Sequence, residues 1–282
     1  MPNSTNVAIV GVGLIGGSIG LALRKRGLAA SVTGVGRTQA TLDKALAVGA
    51  IDKATTDLEQ GVADADIVVV ATPVAGIAED VCRVAAAAPK ARLITDAGST
   101  KALICRTVEA SSAKGIPNFV GSHPLAGDHR TGPENSRADL FVGRTVIVTP
   151  GKNSSDKVVE IARDFWQSLG AMVHLMSPEE HDQALAGTSH LPHLVASALA
   201  RVTPQEYLPL AATGWADTTR VAASDASLWT QIFDQNSAAM LPAIDALIAQ
   251  LTEMRTQIAA GDWPQLQKTL QQAKYIRDAL GN

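Results

Sequence analysis

Short runs of β-branched and other apolar residues alternate with amphipathic stretches over the first 176 residues, and then the runs stop. Val7 to Val10, Ser31 to Val35, Ile67 to Ala71, Arg92 to Thr95, Thr145 to Thr149 and Ala171 to Leu175 read as strands. They are nearly continuous in apolar character and separated by helical patterns, which predicts a parallel sheet covered on both faces, an α/β doubly wound architecture. Ala40 to Val48 reads as a helix ended by Gly49, and Ser154 to Leu169 as an amphipathic helix closed by Gly170, glycine being common just past a helix C-terminus. Right-handed crossovers place both on the sheet faces.

The texture changes at Ser177. Ser177-Pro178-Glu179-Glu180 carries a serine N-cap, a proline at the first helical position and a capping-box glutamate. No strand pattern follows. Pro178 to Arg201, Asp225 to Asn236, Met240 to Ala260 and Trp263 to Leu280 read as helices. The stripe Leu241, Ile244, Leu247, Ile248, Leu251 and Met254 has the spacing of a helix-packing face or dimer seam rather than of a cofactor pocket. A boundary at Met176/Ser177 therefore divides the chain into an α/β part, 1–176, and an all-α part, 177–282.

Composition narrows the partners. With 46% hydrophobic and 18% charged residues among 282, the chain has the make-up of a soluble globular protein able to bury a core. A net charge of -3 gives neither the basic footprint of a nucleic-acid binder nor a polybasic membrane anchor, which leaves a small molecule as the partner. Cys82 and Cys105 each sit in a helical stretch without a second thiol at metal or redox spacing, consistent with a reducing compartment. Runs of about 18 apolar residues, enough to span a membrane, are absent. Met1-Pro-Asn-Ser-Thr-Asn6 lacks the basic and hydrophobic regions of a secretory signal, so a cytoplasmic location is expected.

Gly11-Val12-Gly13-Leu14-Ile15-Gly16 follows the strand Val7 to Val10 and opens the apolar helical stretch Ile15 to Leu23. A glycine pattern alone is weak in a chain with 23 glycines. Between a strand and a helix near the N-terminus, it is the Rossmann arrangement that brings backbone amides to a pyrophosphate at a helix N-terminus. An NAD-binding domain normally ends its second strand with an acid for the ribose hydroxyls, and here Gly36 stands there, followed by Arg37-Thr38. Gly36 leaves room for a 2′-phosphate that Arg37 and Thr38 can bind, which favours NADP and leaves NAD possible; an Arg37 stacked on adenine is the other use. Thr72 and Pro73 follow the strand Ile67 to Ala71 at the carboxyl edge, where they are expected to pack against the nicotinamide ribose.

His123 lies in Gly121-Ser122-His123-Pro124-Leu125-Ala126-Gly127, whose glycines and proline read as a rigid loop rather than a core helix or strand. An imidazole there can take a hydroxyl proton at neutral pH while hydride leaves the same carbon. Ser99, in Thr95-Asp96-Ala97-Gly98-Ser99-Thr100-Lys101, is either the N-cap of the next helix or a catalytic partner. In Ser189-His190-Leu191-Pro192-His193 the proline removes a backbone donor and kinks a helix, so that the two histidines face a cleft. His181, His190 and His193 lack HExxH spacing and a completing carboxylate, so substrate contact is expected and metal is not. Arg220, in Asp217-Thr218-Thr219-Arg220, either pairs with Asp217 at the surface or clamps a substrate carboxylate.

Taken in order, Gly11 to Ser18, Thr95 to Lys101, Gly121 to Gly127, Glu180-His181-Asp182, Ser189 to His193 and Asp217 to Arg220 resemble the prephenate/arogenate dehydrogenase family over nearly the whole chain. The resemblance implies a nucleotide-binding N-terminal domain, a helical substrate-binding and dimer-forming C-terminal domain, and NAD(P)-dependent oxidative decarboxylation in tyrosine biosynthesis. In that reaction hydride leaves C4 of the cyclohexadienyl ring, the 4-hydroxyl loses its proton and the ring carboxylate departs as carbon dioxide. The resemblance further implies that His123 binds the 4-hydroxyl and receives its proton, with Ser99 orienting the pair. Arg220 would bind a substrate carboxylate, and Ser189, His190 and His193 would line the pocket. The chain ends at Asn282 with neither a fused chorismate mutase region nor an evident regulatory domain, so feedback through a separate domain is not expected. The choice between the keto side chain of prephenate and the amine of arogenate stays open. Two other readings compete. One is a different two-domain NADP-dependent reductase, of the β-hydroxyacid dehydrogenase or imine reductase type, which generally relies on a lysine where this chain has His190 and His193. The other is a non-catalytic NADP sensor, which needs neither His123 nor Arg220.

Overall fold

Val7 to Val10 and Ile67 to Val70 are apolar throughout because both faces are covered, and each of these residues is at most 4% exposed in the computed structural model, which describes residues 4–111, 115–127 and 130–281. The first three residues of the N-terminal stretch read for a signal, and Asn282, lie outside the described residues. The α/β part runs β1 (Asn6–Val10), α1 (Leu14–Lys25), β2 (Ser31–Val35), α2 (Gln39–Ala47), β3 (Lys53–Thr55), α3 (Leu58–Val62), β4 (Ile67–Val70), α4 (Ile77–Ala87), β5 (Leu93–Asp96), α5 (Ala102–Ala110), β6 (Phe119–Pro124), β7 (Thr145–Thr149), α6 (Asp156–Ser168) and β8 (Met172–Leu175). These strands form one eight-stranded sheet in the order β3-β2-β1-β4-β5-β6-β7-β8. All neighbours are parallel except β6 and β7.

Alternation along β1 sets the two layers. Val7 and Ile9 join Ile19 and Leu23 of α1, Leu42 of α2 and Phe165 and Trp166 of α6 on one face. Ala8 and Val10 join Val62 of α3, Val81 and Val84 of α4 and Ile104 and Val108 of α5 on the other. Fully burying a Val, Leu or Ile side chain contributes about 1.5–3 kcal/mol, so these layers hold the sheet edge rigidly enough to carry a site. Val10, Val35, Val70 and Asp96 lie in register, which aligns the carboxyl ends of four strands.

The remainder is helical: α7 (Pro178–Leu185), a π-helical turn (Ala186–His190), α8 (Leu191–Val202), α9 (Thr213–Thr219), α10 (Ala226–Gln235), α11 (Ser237–Ala260) and α12 (Trp263–Asp278). Ser177 caps α7 through a complete capping box with Glu180. The expected single helix from Pro178 to Arg201 is thus interrupted. Pro192 cannot donate to the preceding turn, and the chain widens there, with Leu191 N–H bonding back to Ala186 O. No helix among the described residues is long and apolar enough to cross a membrane. Cys82 is half-buried and Cys105 buried, both free, and burial pushes the Cys105 thiol up to about 12.

Candidate active site

The three fingerprint glycines answer to three different constraints. Gly11 has φ 95°, and a Cβ on it would lie 2.6 Å from the Ala71 carbonyl oxygen, where the loop after β1 meets the loop after β4. A Cβ on Gly16 would lie 2.0 Å from the Gly11 carbonyl oxygen, so the first turn of α1 seats on its own loop only without a side chain. A Cβ on Gly13 would meet nothing within 4 Å, which leaves open space directly before α1. Gly13 is also the N-cap of α1, and no side chain caps it, so the first-turn N–H groups around Leu14 and Ile15 are left for an anion. These residues fit the pyrophosphate of a dinucleotide.

Gly36 ends the second strand's edge with Leu42 close by; a Cβ there would lie 3.1 Å from Leu42 Cδ2. Arg37 is exposed, and Thr38 caps α2, its Oγ1 accepting from Thr41 N at 3.4 Å. Thr72 donates to Asp80 Oδ2 at 2.7 Å, which anchors the Thr72-Pro73 turn to α4.

His123 stands on β6, not in a loop. Gly121 lacks a side chain because of crowding, not turn geometry: a Cβ there would lie 2.5 Å from Thr149 Oγ1 and 3.1 Å from Cys105 Sγ. Pro124 is the strand's last residue. Thr95 pairs with Val120, so His123 extends beyond the end of β5 at the same carboxyl edge as the fingerprint loop. Its Nδ1 lies 2.8 Å from His181 Nε2, and His181 Nδ1 lies 2.8 Å from Asp182 Oδ1.

Asp182 does a second job. Its carboxylate accepts from Lys101 N at 2.8 Å and Ala102 N at 2.9 Å, the open N-terminus of α5. Ser99 is therefore not the helix cap: α5 begins at Ala102 and is capped from a residue far along the chain. Below this lies a fully buried ion pair between Lys101 Nζ and Asp96 Oδ2. Lys101 Nζ also donates to Ser122 O at 3.0 Å, while Asp96 Oδ1 accepts from Ser122 N at 3.0 Å and Oδ2 from Gly98 N at 2.8 Å. The pair thus clamps the residue preceding His123 from both its N–H and its carbonyl.

The helical part closes the site from the other side. His190, on the π turn, accepts at Nδ1 from Asn236 Nδ2 at 3.0 Å, and the same amide donates to Asp182 O at 2.9 Å. His193 stacks on Trp229 with ring centroids 3.6 Å apart. It is 5% exposed, and although the Val221 backbone is near, neither ring nitrogen makes a hydrogen bond of ordinary geometry among the described residues. His123, His181, Asp182, Asn236, His190, Trp229 and His193 form one continuous chain of contacts. Ser99 and Ser189 are half-buried and stand outside that chain. Arg220 is exposed on a short turn packed against α8, and among the described residues it forms no ion pair, so the surface pairing with Asp217 does not occur. The sequence motifs assign no role to Asp182, Asn236, Trp229 or the Asp96–Lys101 pair. No group of three His, Cys, Asp or Glu among the described residues is arranged to hold a metal.

Burial holds the imidazoles neutral. It pushes His123 well below its usual range, helped by the disfavoured protonation of His123 together with its neighbours His181 and His190 and by the Lys101 charge, and it lowers His181 and His193 and takes His190 to about 4. The unfolded chain therefore binds more protons than the folded one just below the ordinary histidine value, about 6.5. Stability should consequently fall as pH drops from about 6.5 toward 4, and a flat melting temperature across that window would contradict the desolvation of these four rings, three buried and His123 half-buried.

Comparison with known proteins adds the lineage. The family model described as prephenate dehydrogenase, nucleotide-binding domain, matches residues 19–175, and that described as prephenate dehydrogenase, dimerization domain, matches residues 177–272. The chain belongs to the prephenate dehydrogenase family. It is 34% identical to the cyclohexadienyl dehydrogenase of Zymomonas mobilis over 98% of this chain and 96% of that protein. It is similar to the prephenate dehydrogenase of Aquifex aeolicus, solved with hydroxyphenyl propionate and NAD+, at a TM-score of 0.89 and 32% identity, covering 98% of each chain. It also resembles the arogenate dehydrogenase of Synechocystis, at a TM-score of 0.83 and 30% identity, over 98% of this chain and 99% of that one. Within this family fold, His123 and the fingerprint loop share one edge of the sheet, and His181 of α7 contacts His123.

Proposed function

We propose that this chain oxidises prephenate, arogenate or both, transferring hydride to a nicotinamide dinucleotide and releasing the ring carboxylate as carbon dioxide, a step of tyrosine biosynthesis in the cytoplasm. The observation that carries this is His123, neutral and held at the carboxyl edge shared with the open N-terminus of α1. A bound nicotinamide ring would accept the hydride. His123 takes the 4-hydroxyl proton as that hydride leaves, and Ser99, freed from capping, orients the hydroxyl. Arg220 binds a substrate carboxylate as a fixed cation, while Ser189, His190 and His193 line the pocket. The backbone of Gly11, Gly13, Leu14, Ile15 and Gly16 cradles the pyrophosphate, and Thr72 and Pro73 pack on the nicotinamide ribose. Residues 1–176 form the nucleotide-binding unit, and residues 177–282 the unit that binds substrate and pairs two chains. A homodimer through α11 and α12 is supported by Leu241, Ile248, Leu251, Tyr275 and Ile276, all exposed in the single chain.

Carbon dioxide trapping tests the reaction class: one molecule released per nicotinamide reduced is expected. Reduction without carbon dioxide would instead mark a hydroxyacid-type dehydrogenase. Arg220→Ala should raise KM by about 10- to 100-fold, the loss of one charge-assisted carboxylate contact, and an unchanged KM would move the clamp elsewhere. NADP is the cofactor favoured by Gly36, Arg37 and Thr38. Gly36→Asp should shift selectivity toward NAD once Leu42 gives by a few tenths of an ångström, and persistent NADP selectivity would show the ribose pocket misplaced.

A further inference from the structure

We infer that His181 is a positioning residue: with Asp182 it keeps a proton on Nδ1 of His123 and leaves Nε2 bare, so that Nε2 is the nitrogen that receives the substrate proton. This rests on the reading of His123 as the base.

The assignment follows from counting donors outward from Asp182. Backbone N–H groups can only donate, and two of them, Lys101 N and Ala102 N, point one at each carboxylate oxygen. Asp182 therefore acts as an acceptor at both oxygens. The contact of 2.8 Å between Oδ1 and His181 Nδ1 then requires a proton on that nitrogen. A neutral imidazole with Nδ1–H has a bare Nε2, and burial keeps His181 neutral. That bare Nε2 lies 2.8 Å from His123 Nδ1, which must therefore donate. The remaining nitrogen of His123, Nε2, makes no hydrogen bond among the described residues and carries the lone pair. On reaction the substrate proton bonds to His123 Nε2, while the proton on His123 Nδ1 stays bonded to that nitrogen and continues to donate to His181 Nε2. His123 becomes an imidazolium, facing the Asp182 carboxylate through one intervening ring, and no proton passes beyond His123.

The same carboxylate caps α5 and takes its own place from α7, so the tautomer of His123 depends on how the helical part seats on the sheet. The neighbouring fixed charges, Lys101 and Asp96, neutralise each other and have no direct bond to His181.

Nitrogen-15 spectra of histidine-labelled full-length protein, free of ligand, read the tautomer directly, and the signals lost in His123→Asn identify the residue. A protonated Nδ1 and bare Nε2 on His123 is the expected result; the reverse overturns the inference. His181→Leu removes the acceptor and should lower kcat by about 10- to 100-fold with KM changed less than about threefold. His181→Gln, whose Oε1 can replace Nε2 as acceptor, should recover most of that loss. Equal activity in the Leu and Gln variants would refute the positioning role. If His181→Leu fails to fold, the wild-type spectrum still decides. A reversed tautomer together with an inactive His123→Asn would refute this inference alone, whereas normal turnover by His123→Asn would remove the base assignment itself.

Discussion

His123→Asn lowers kcat by about 10²- to 10⁴-fold and leaves cofactor affinity unchanged, as expected when a general base is removed. The amide is close in size to the ring and accepts no proton at neutral pH. The fingerprint loop is untouched, since the substitution lies on β6 and the pyrophosphate cradle belongs to the loop after β1. Steady-state kinetics with cofactor titration separates the two effects. Normal turnover would show that some other group takes the proton.

Lys101→Met destabilises the fold by about 3–5 kcal/mol, because it leaves Asp96 buried beside an apolar side chain. Both members of the pair are fully shielded from solvent, so water cannot take the place of the lost partner. Two backbone donors remain on Asp96, from Gly98 and Ser122, and they do not neutralise a full charge. Loss of the Lys101 bond to Ser122 O also loosens the residue next to His123, so turnover should fall along with stability. Urea denaturation gives the number. A loss under about 1 kcal/mol would mean that the carboxylate takes up a proton or finds water, and the clamp would then not be what holds β6.

Much of the fold is legible because buried parallel strands must be apolar on both faces. Ser31–Val35 and Thr145–Thr149 appear as strands with the bounds read from the runs. β3 is invisible in the sequence pattern: Lys53–Thr55 is three residues long, at the sheet edge, and has no apolar run. β6 is hidden by Gly121 and Pro124, which read as turn punctuation although one relieves crowding and the other ends a strand. At the site, single residues such as His123 and the fingerprint glycines stand out in the sequence. The relations did not, because a helix cap is ordinarily sought within three residues and Asp182 caps α5 from about 80 residues away. Asn236, which joins His190 to Asp182, has no local pattern to mark it.

The most direct test of the account is near-ultraviolet absorbance of the reduced nicotinamide, with purified protein given prephenate and then arogenate, each with NADP and with NAD. The account predicts reduction with at least one substrate, faster with NADP than with NAD. No reduction in any of the four combinations, with cofactor binding shown separately, would contradict it.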